Sequence, residues 1–429
     1  MRFPSACKLL AQPIQLNAKY RVRTALLAVA SISLIIWVYL ALGRGMFWRL
    51  RNFNDDTTNH EPPTNYPSVV AILPARNEAP TVAQSITSLL QQNYPGQFSI
   101  ILVDDHSEDG TAKLAQRASI DLGAESRIQI RSAPPLSQGW TGKLWALNSG
   151  TAIFGCPPPT ALSPGPHTTS RIAPNNPGTP PPAYYWFTDA DITHAPDTLH
   201  RLVARAERNQ LDLTSLMVLL QSKTPPERAL IPAFLFFFLK LYPPSWIANP
   251  KAKTAGAAGG CILLRSEALQ KIGGLSAIRT EVIDDCALAQ AVKRTGGKIW
   301  MGLTRRSISL RAYNTFSEIR DMIARTAFTQ LRYSPALLLG TVAGMFLTYI
   351  APVALIFVPN STARILAASA WLLMSLLYLP TLRFYSLSPL WAPLLPAVAA
   401  FYSYGTILSA LRYYQGRGAQ WKGRSQAVS

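Results

Sequence analysis

The sequence predicts an α/β domain with a doubly wound, mostly parallel sheet, flanked on both sides by transmembrane helices. Three observations lead to this fold class. Short β-rich runs alternate with helix-like stretches from residue 68 onward, a pattern typical of parallel sheets. Long uncharged apolar runs stand before and after this region. The acidic residues are confined to the central region, and the basic residues outside it flank the apolar runs, a distribution typical of membrane proteins.

The net charge of +19 does not by itself indicate a nucleic-acid-binding protein. All 22 acidic residues lie between Asp55 and Asp321. The central block, residues 52–333, holds 27 Lys and Arg, so its own net charge is only +5. The other 14 basic residues flank the apolar runs. We therefore expect a membrane as partner and no nucleic acid.

The apolar runs define the predicted organisation outside the central block. Residues 24–43 are 20 uncharged residues, long enough to span a bilayer. Because no small-residue cleavage site follows them, we predict an uncleaved anchor after a basic tail, residues 1–23. About three more transmembrane helices are expected in 335–411, before a basic tail at 412–429. The run 229–242 is shorter, so we expect a buried or interfacial segment there.

The central block contains the predicted sheet. Strands are expected at 68–74, 98–104, 127–133 and 184–188. Helices are expected in the stretches after these strands, at 81–92, at 142–154 and from Ala195. Residues 156–183 contain ten prolines and are predicted to form a surface loop. Ligands of such sheets bind at the carboxyl ends of the strands.

Two motifs at predicted strand ends are candidates for binding a nucleotide. The first strand ends in LPARNE, residues 73–78, and the second ends in Asp104 and Asp105. These carboxylates suit hydrogen bonds from a base or a ribose, although turns also use such residues. Lys143 stands near a helix start, where it is either a solvated lysine or a cation that faces a diphosphate.

The fourth strand ends in TDAD, with Asp189 and Asp191 two residues apart. Like charges this close repel each other unless a positive charge lies between them. Mg²⁺ or Mn²⁺ prefers oxygen ligands and takes one or two carboxylates beside substrate phosphates. The alternative is an Asx-turn followed by a helix cap. We predict a divalent metal site.

A second pair of aspartates, Asp284 and Asp285, opens a predicted helix. Aspartate at a helix start is a good cap, and the functional alternative assigns one of the pair to general-base catalysis. Upstream, Gly259 and Gly260 form a turn before a buried strand. Glycine there allows the backbone to approach a ligand closely.

Taken in order, PARNE, VDD, GK-x2-ALN-x-G, DAD and IDD-x2-LA resemble the motifs of family 2 glycosyltransferases of the GT-A fold. The resemblance covers residues 66–333, and with the flanking spans the chain is most similar to the bacterial hopene-associated glycosyltransferases. It implies a GT-A domain between transmembrane helices. It also implies a nucleotide-diphospho-sugar donor, most commonly a UDP-sugar, a lipid acceptor and a role in hopanoid metabolism.

The resemblance also implies roles for individual residues. Asp285 is the expected base, with Asp284 as its neighbour in place of the family's glutamate. Asp191 first and Asp189 second are the expected metal ligands. The base takes a proton from an acceptor hydroxyl, and a single displacement inverts the anomeric carbon. The expected donor-binding residues are Pro74, Ala75, Glu78, Asp104, Asp105, Lys143 and Asp189.

Processive members of the family carry a Gln-x-x-Arg-Trp motif. Here the nearest match is Gln330, Leu331, Arg332 and Tyr333, which is one residue shorter and lacks the tryptophan. We therefore expect transfer without processive polymer synthesis. The acceptor or product side is expected at Gly259, Gly260, Gln330, Arg332 and Tyr333.

The expected location is the bacterial inner membrane, multi-pass, with the catalytic domain in the cytoplasm. Arg320, Arg325 and Arg332 before the second span agree with this orientation. The donor is also expected to be cytosolic. The charges around the first span and the carboxyl-terminal tail do not agree with this orientation under a simple count of spans.

Three other functions are compatible with parts of the sequence. A polyprenyl-phosphate glycosyltransferase would need cations more than a base, and Arg305, Arg306 and Arg311 are candidates. A catalytically silent membrane scaffold would not need the paired aspartates. A phosphatase with an aspartate nucleophile would need Asp-x-Asp after the first strand, where this chain has PARNE.

Overall fold

The computed structural model of the protein describes residues 12–57, 65–154, 180–418, 420–421 and 424–425. Most of the proline-rich stretch predicted at 156–183 lies outside these residues, as do parts of the two basic tails. Within the described residues, the central block carries one large sheet, and the apolar runs on both sides are helical.

The large sheet is mixed and mostly parallel. Its strands in the described residues are β1 Val69–Ala75, β2 Phe98–Asp104, β3 Ile128–Ser132, β4 Tyr184–Phe187, β5 Ile192–His194, β6 Leu213–Leu219, β7 Ile262–Arg265 and β8 Ile299–Ser309. Their order is β3-β2-β1-β4-β7-β6-β8-β5. Only β5 and β7 run against the direction of the others. The carboxyl ends of β1, β2 and β4 therefore meet at one edge, where the predicted motifs lie.

Helices of the described residues connect and flank these strands. They are α1 Gln12–Leu42, α2 Val82–Leu90, α3 Thr111–Asp121, α4 Gly142–Thr151, α5 Thr198–Asn209, α6 Pro225–Leu241, α7 Pro244–Ala248, α8 Ser266–Lys271, α9 Asp284–Arg294, α10 Phe316–Gln330, α11 Pro335–Met345, α12 Ala351–Leu355, α13 Ser361–Phe384 and α14 Leu395–Tyr414. A π-helical turn, Phe346–Ile350, joins α11 to α12. Two further two-residue strands, Gln420–Trp421 and Arg424–Ser425, pair with each other.

The alternation of side chains along β1 divides the core into two layers. Ala71 and Leu73 pack with Ile86 of α2 on one face. Ile72 packs with α4 on the other face, in a larger core that continues into the apolar helices. Gly150 allows α4 to lie this close, because a Cβ there would be 2.6 Å from Ile72 Cγ2. The sheet therefore rests directly against the helical part of the protein.

Five helices of the described residues are long and apolar enough to span a membrane. They are Tyr20–Leu42, Pro225–Ala248, Pro335–Leu355, Ser361–Phe384 and Pro389–Tyr414. The segment predicted as interfacial, 229–242, belongs to the second of them, because the helical region continues on both sides of it. α6 also contacts α10, α13 and α14, so this helix links the sheet domain to the apolar bundle.

One short strand was not predicted. The helix expected from Ala195 is present and begins at Thr198, and residues 192–194 before it form β5. The reason is tertiary, because β5 pairs with residues 307–309 of β8. A strand of three residues has too short a periodic pattern to be recognised from the sequence.

Candidate functional site

A pocket at the carboxyl ends of the strands brings together residues from distant parts of the chain. Its lining includes Pro74, Lys143, Asp189, Gly259, Asp284 and Asp285. β1 and β4 each deliver one of these side chains at their ends, and α4 and α9 deliver the lysine and the aspartate pair at their starts. Pro74, Lys143 and Asp189 of the predicted donor-binding residues thus share one pocket with the predicted catalytic pair, whereas Ala75, Glu78, Asp104 and Asp105 do not line it.

Lys143 lies at the centre of this pocket and pairs with two aspartates. Its Nζ is 2.9 Å from Asp189 Oδ1 and 3.3 Å from Asp284 Oδ2. Burial alone lowers the pKa of Lys143, but the two carboxylates outweigh it and the net shift is upward. Lys143 is therefore a charged side chain that connects the TDAD turn to the start of α9 through its two ion pairs.

Asp285 has a different environment from its neighbour. Its Oδ2 accepts a hydrogen bond of 2.9 Å from the Gly259 amide, and its Oδ1 accepts one of 2.7 Å from the Cys286 amide. Burial and then the charge of Asp284 raise the pKa of Asp285 to about 6, against the opposing effect of Lys143. A carboxylate with this pKa is well matched to proton transfer near neutral pH.

Gly259 lies close to both groups. A Cβ on this residue would be 3.2 Å from Lys143 Nζ and 3.4 Å from Asp285 Oδ2. A side chain there would crowd the lysine and the hydrogen bond to Asp285. The carbonyl of Gly260 accepts a hydrogen bond from Thr188 Oγ1, at 2.9 Å. At Gly259 the pocket is therefore lined by backbone atoms rather than by a side chain.

The second aspartate of the TDAD turn faces another cation. Asp191 Oδ2 is 3.2 Å from Arg311 Nε, and the same guanidinium reaches Glu78 Oε1 at 3.2 Å. Burial lowers the pKa of Arg311, but the charges of Asp191, Tyr313 and Glu78 raise it more, so the net shift is upward. Arg311 was predicted from the sequence only as a cation for a phosphate acceptor. Its pairing with Glu78 and Asp191 depends on the fold, because β8 returns beside β5.

The nucleoside candidates lie beside the PARNE turn. Asp104 is buried, and its Oδ2 accepts a hydrogen bond of 3.3 Å from the Ser107 amide, while its buried Oδ1 has no hydrogen-bond partner in the described structure. Arg76 lies 3.8 Å from Asp105 Oδ2 and donates to the Asp105 carbonyl. The carbonyl of Ala75 accepts from the Asp105 amide, at 2.8 Å. The two motifs are thus joined in one surface.

Beneath the TDAD turn lies a buried polar chain that the sequence did not indicate. Thr188 Oγ1 is 2.8 Å from His194 Nε2, and His194 Nδ1 is 2.8 Å from Ser307 Oγ. Burial lowers the pKa of His194 to about 3, so the ring is neutral and supports the turn by hydrogen bonds. The only signal in the sequence was a single histidine after DAD, which is too little for a prediction.

The expected acceptor side lies where the sheet domain meets the apolar helices. Gln330, at the end of α10, exchanges hydrogen bonds of 2.7 and 3.0 Å with the Tyr242 hydroxyl. The Tyr242 side chain also lies close to the Cys286 thiol, which is next to Asp285 in the chain. Tyr333 stacks on Tyr413 with ring centroids 4.5 Å apart. The sequence did not single out Tyr242, which simply follows the apolar run of α6.

Arg332 and Tyr333 have backbone conformations that are rare for residues with side chains. Their φ angles are 51° and 55°, in the left-handed region. Their amides bond to the carbonyls of Thr329 and Phe328, which closes the end of α10. Two such residues in succession turn the chain sharply into α11.

The charge balance of the pocket fits a divalent cation. Asp189, Asp284, Asp285 and Lys143 line the pocket, and Glu78, Asp191 and Arg311 adjoin it at the TDAD turn. Carboxylates outnumber cations, so an anionic diphosphate needs added positive charge to bind here. No group of three or more His, Cys, Asp or Glu side chains forms a metal cluster among the described residues. Asp189 and Asp191 still fit a site of two carboxylates completed by phosphate and water.

Comparison with known proteins gives two family matches. The model described as Glycosyl transferase family 21 matches residues 183–428, and the model described as Glycosyl transferase family 2 matches residues 70–153. The first match runs from the end of the proline-rich stretch through the apolar helices. The second covers β1 to α4. No curated protein matches the chain.

Several solved structures are similar over large parts of the chain. A mannosyltransferase from Pyrobaculum calidifontis, in complex with GDP-Man and Mn²⁺, is 17% identical, and the match covers 91% of this chain and 99% of that one, with a TM-score of 0.49. Mannosyl-3-phosphoglycerate synthase from Rubrobacter xylanophilus is 15% identical over 66% and 80%, with a TM-score of 0.36. Glucosyl-3-phosphoglycerate synthase from M. tuberculosis is 16% identical over 65% and 87%, also with a TM-score of 0.36.

The predicted fold class is confirmed. The described residues form a mixed, mostly parallel sheet between helices apolar and long enough to span a membrane, and both family matches are to glycosyltransferases.

Proposed function

The chain belongs to glycosyl transferase family 21, and on this basis we propose that it transfers one sugar from a nucleotide-diphosphate donor to a lipid hydroxyl, with inversion of the anomeric carbon. Nucleotide-sugar glycosyltransfer follows from the family. The lipid acceptor, the inversion, the metal dependence and the residue roles are the proposal.

The environment of Asp285 is the observation that carries the proposal. Asp284 is committed to Lys143 by an ion pair of 3.3 Å. Asp285 instead accepts two backbone hydrogen bonds and has a pKa raised to about 6. Two neighbouring carboxylates with different environments suit different tasks. The assignment of Asp285 as the base and Asp284 as the partner of Lys143 follows from this difference.

In the proposed step, an acceptor hydroxyl lies against Asp285 and gives its proton to the carboxylate. The oxygen forms a bond to the anomeric carbon from one face while the bond from this carbon to the diphosphate oxygen breaks on the other. The bond electrons leave with the nucleoside diphosphate. Lys143, between Asp189 and Asp284, and Arg311 are positioned to meet the charge that develops there.

Mg²⁺ or Mn²⁺, when bound by Asp191 and Asp189, supplies positive charge that neutralises the diphosphate. The excess of carboxylates over cations in the pocket and at the adjoining TDAD turn supports this assignment. Pro74, Ala75, Glu78, Asp104 and Asp105 are proposed to bind the donor beside them. The buried Oδ1 of Asp104, without a hydrogen-bond partner in the described structure, is suited to a base or ribose donor.

A lipid acceptor is supported by the position of the acceptor side. Tyr242 and Gln330 lie at the ends of α6 and α10, where the sheet domain joins the apolar helices. Because Tyr242 also lies close to Cys286, this boundary reaches the residue next to the proposed base. A lipid hydroxyl at the membrane surface therefore has a short path to Asp285. Hopanoids are the proposed lipid class, and a UDP-sugar is the proposed donor.

The phosphate-acceptor alternative has weaker support. It relied on three arginines free to bind an anion. Arg305 instead bonds Ser386 at 2.6 Å, and Arg306 pairs with Asp197 at 2.5 Å. Arg311 pairs with Glu78 and Asp191 beside the pocket. A hydroxyl acceptor, which needs a base, agrees better with the raised pKa of Asp285.

The test is sugar transfer from radiolabelled nucleotide sugars into membrane lipid extracts, with and without hopanoids. The wild type is compared with Asp191→Ala and Asp285→Asn, each with Mg²⁺, Mn²⁺ or EDTA. Asp197→Asn is the matched control, because it removes an exposed carboxylate that pairs with Arg306. We expect label in a lipid product, lost with EDTA and in both pocket variants but kept in the control. An active Asp285→Asn enzyme would favour the phosphate acceptor, and label that does not depend on hopanoids would reject that lipid class.

We also propose that the catalytic domain faces the cytoplasm from a bacterial inner membrane. Arg320, Arg325 and Arg332, which precede the apolar helix Pro335–Leu355, support this orientation. Protease added to spheroplasts should leave the 156–183 stretch intact. Cleavage there from outside would contradict the orientation.

A further inference from the structure

We propose that Arg311 is an exchangeable cation of the donor site. Without donor it neutralises Asp191 and Glu78, and on donor binding it moves from these carboxylates to the diphosphate. The inference rests on the proposed function and adds a second partner for Arg311.

The backbone around Arg311 is held on both sides. The Leu310 amide donates to the Asp191 carbonyl at 2.7 Å, and the Leu310 carbonyl accepts from Gln221 Nε2 at 2.8 Å. The Tyr313 amide donates to Glu227 Oε1 at 2.7 Å. The base of the arginine is therefore fixed beside the TDAD turn, and only its long side chain is left to move.

The guanidinium is within reach of solvent. The Arg311 side chain is 31% exposed, whereas those of Asp191 and Glu78 are each 13% exposed. Each of its two ion pairs is a single contact of 3.2 Å, from Nη2 to Glu78 Oε1 and from Nε to Asp191 Oδ2. A guanidinium also binds a diphosphate in a bidentate manner, with geometry as favourable as that of a carboxylate. The guanidinium can therefore exchange its carboxylate partners for a diphosphate without losing favourable hydrogen-bond geometry.

Arg311 and the proposed metal share one ligand. Arg311 Nε contacts Asp191 Oδ2, and Asp191 is the first proposed metal ligand. A divalent cation on that carboxylate would stand beside a guanidinium of the same sign, which repels it. The diphosphate removes the conflict by binding both cations. Metal alone should therefore bind weakly, and metal and nucleotide should strengthen each other's binding by the same factor.

The experiment measures Mn²⁺ binding to the purified full-length protein in detergent, by electron paramagnetic resonance of free Mn²⁺. It is done without nucleotide and with UDP or GDP. Arg311→Gln is compared with the wild type and with Arg306→Gln. Arg306 is the matched control because it lies in β8, just before Arg311, and pairs with Asp197, which is outside the pocket.

In the absence of nucleotide, we expect Arg311→Gln to bind Mn²⁺ roughly tenfold more tightly than the wild type. At saturating Mn²⁺, we expect it to bind the nucleoside diphosphate roughly tenfold more weakly. Both factors correspond to the loss of one hydrogen-bonded charge pair. Arg306→Gln should change neither affinity. A purely structural arginine would weaken both affinities or neither.

Equal or weaker Mn²⁺ binding by Arg311→Gln would overturn the inference and leave the proposed function standing. If the wild type binds neither Mn²⁺ nor either nucleotide, the proposed function fails and the inference fails with it. Arg311→Lys covers the case in which Arg311→Gln does not fold. A lysine keeps the charge but cannot bridge two carboxylates, so both shifts should keep their direction with a smaller size, and the absence of both would overturn the inference.

Discussion

Replacement of Asp285 by asparagine should separate the catalytic function of this residue from its effect on stability. The change keeps the size of the side chain and removes its charge. If Asp285 is the base, transfer should fall by about 10²–10⁴-fold. The same change should make the protein more stable at pH 7.5, because the folded protein holds this carboxylate at a pKa of about 6 rather than 3.8.

The size of the stability effect follows from the shift. A difference of about two pKa units corresponds to about 3 kcal/mol at most. Asparagine offers only one acceptor oxygen, so one of the two bonds from Gly259 and Cys286 is lost, at a cost of about 1 kcal/mol. Partial contact with solvent reduces the electrostatic part further. A net gain of about 1 kcal/mol remains, or about 2–4 °C in the thermal midpoint of a domain of this size.

The sign depends on pH. Because the pKa of Asp285 is higher in the folded protein than in the unfolded chain, the ionised carboxylate destabilises the fold above about pH 6. This penalty disappears as the group takes up its proton between about pH 6 and pH 4. The advantage of Asp285→Asn should therefore shrink from pH 7.5 to pH 4.5.

Thermal unfolding in detergent at both pH values, together with the transfer assay, measures these effects. Asp197→Asn is the control and should change neither activity nor the pH dependence of the midpoint. A midpoint of Asp285→Asn below that of the wild type at pH 7.5 would refute the reasoning on burial. Activity within tenfold of the wild type would refute the assignment of the base.

Three other outcomes are expected. Transfer by the wild type should be constant above about pH 6 and fall as the pH drops below it, because the ionised form of Asp285 is the base; a rate that rises on acidification would contradict this. Lys143→Met should remove most of the transfer activity and lower the thermal midpoint. In the residual activity the acid limb of the pH–rate profile should move to higher pH, because Lys143 lowers the pKa of Asp285. An acid limb at the same pH as in the wild type would argue against this contact. Tyr242→Phe should raise the KM for the acceptor about fivefold with little change in kcat, because Gln330 loses both hydrogen bonds to the Tyr242 hydroxyl and is no longer held in place on the proposed acceptor side, at a cost of about 1 kcal/mol to acceptor binding. Steady-state kinetics with varied lipid tests this, and a change in kcat alone would exclude Tyr242 from acceptor binding.

Local patterns in the sequence were sufficient for the main elements. β1, β2 and β4 lie where runs of apolar and β-branched residues predicted them, and α4 and α9 begin at the predicted helix starts. Such runs must be buried whatever surrounds them, so their structure depends little on distant residues. β5 was missed because its conformation depends on pairing with β8.

The sequence by itself determined the fold class, four of the five helices apolar enough to span a membrane in the described residues and the types of residue at the strand ends. These depend on composition and on short-range periodicity, which are present in the chain before it folds. The tertiary structure alone decided which charges meet: Lys143 with Asp189 and Asp284, and Arg311 with Glu78 and Asp191. It also decided that burial and the neighbouring Asp284 raise the pKa of Asp285. Ion pairs and burial depend on distances between residues far apart in the chain, and only the packing of the strands and helices sets those distances.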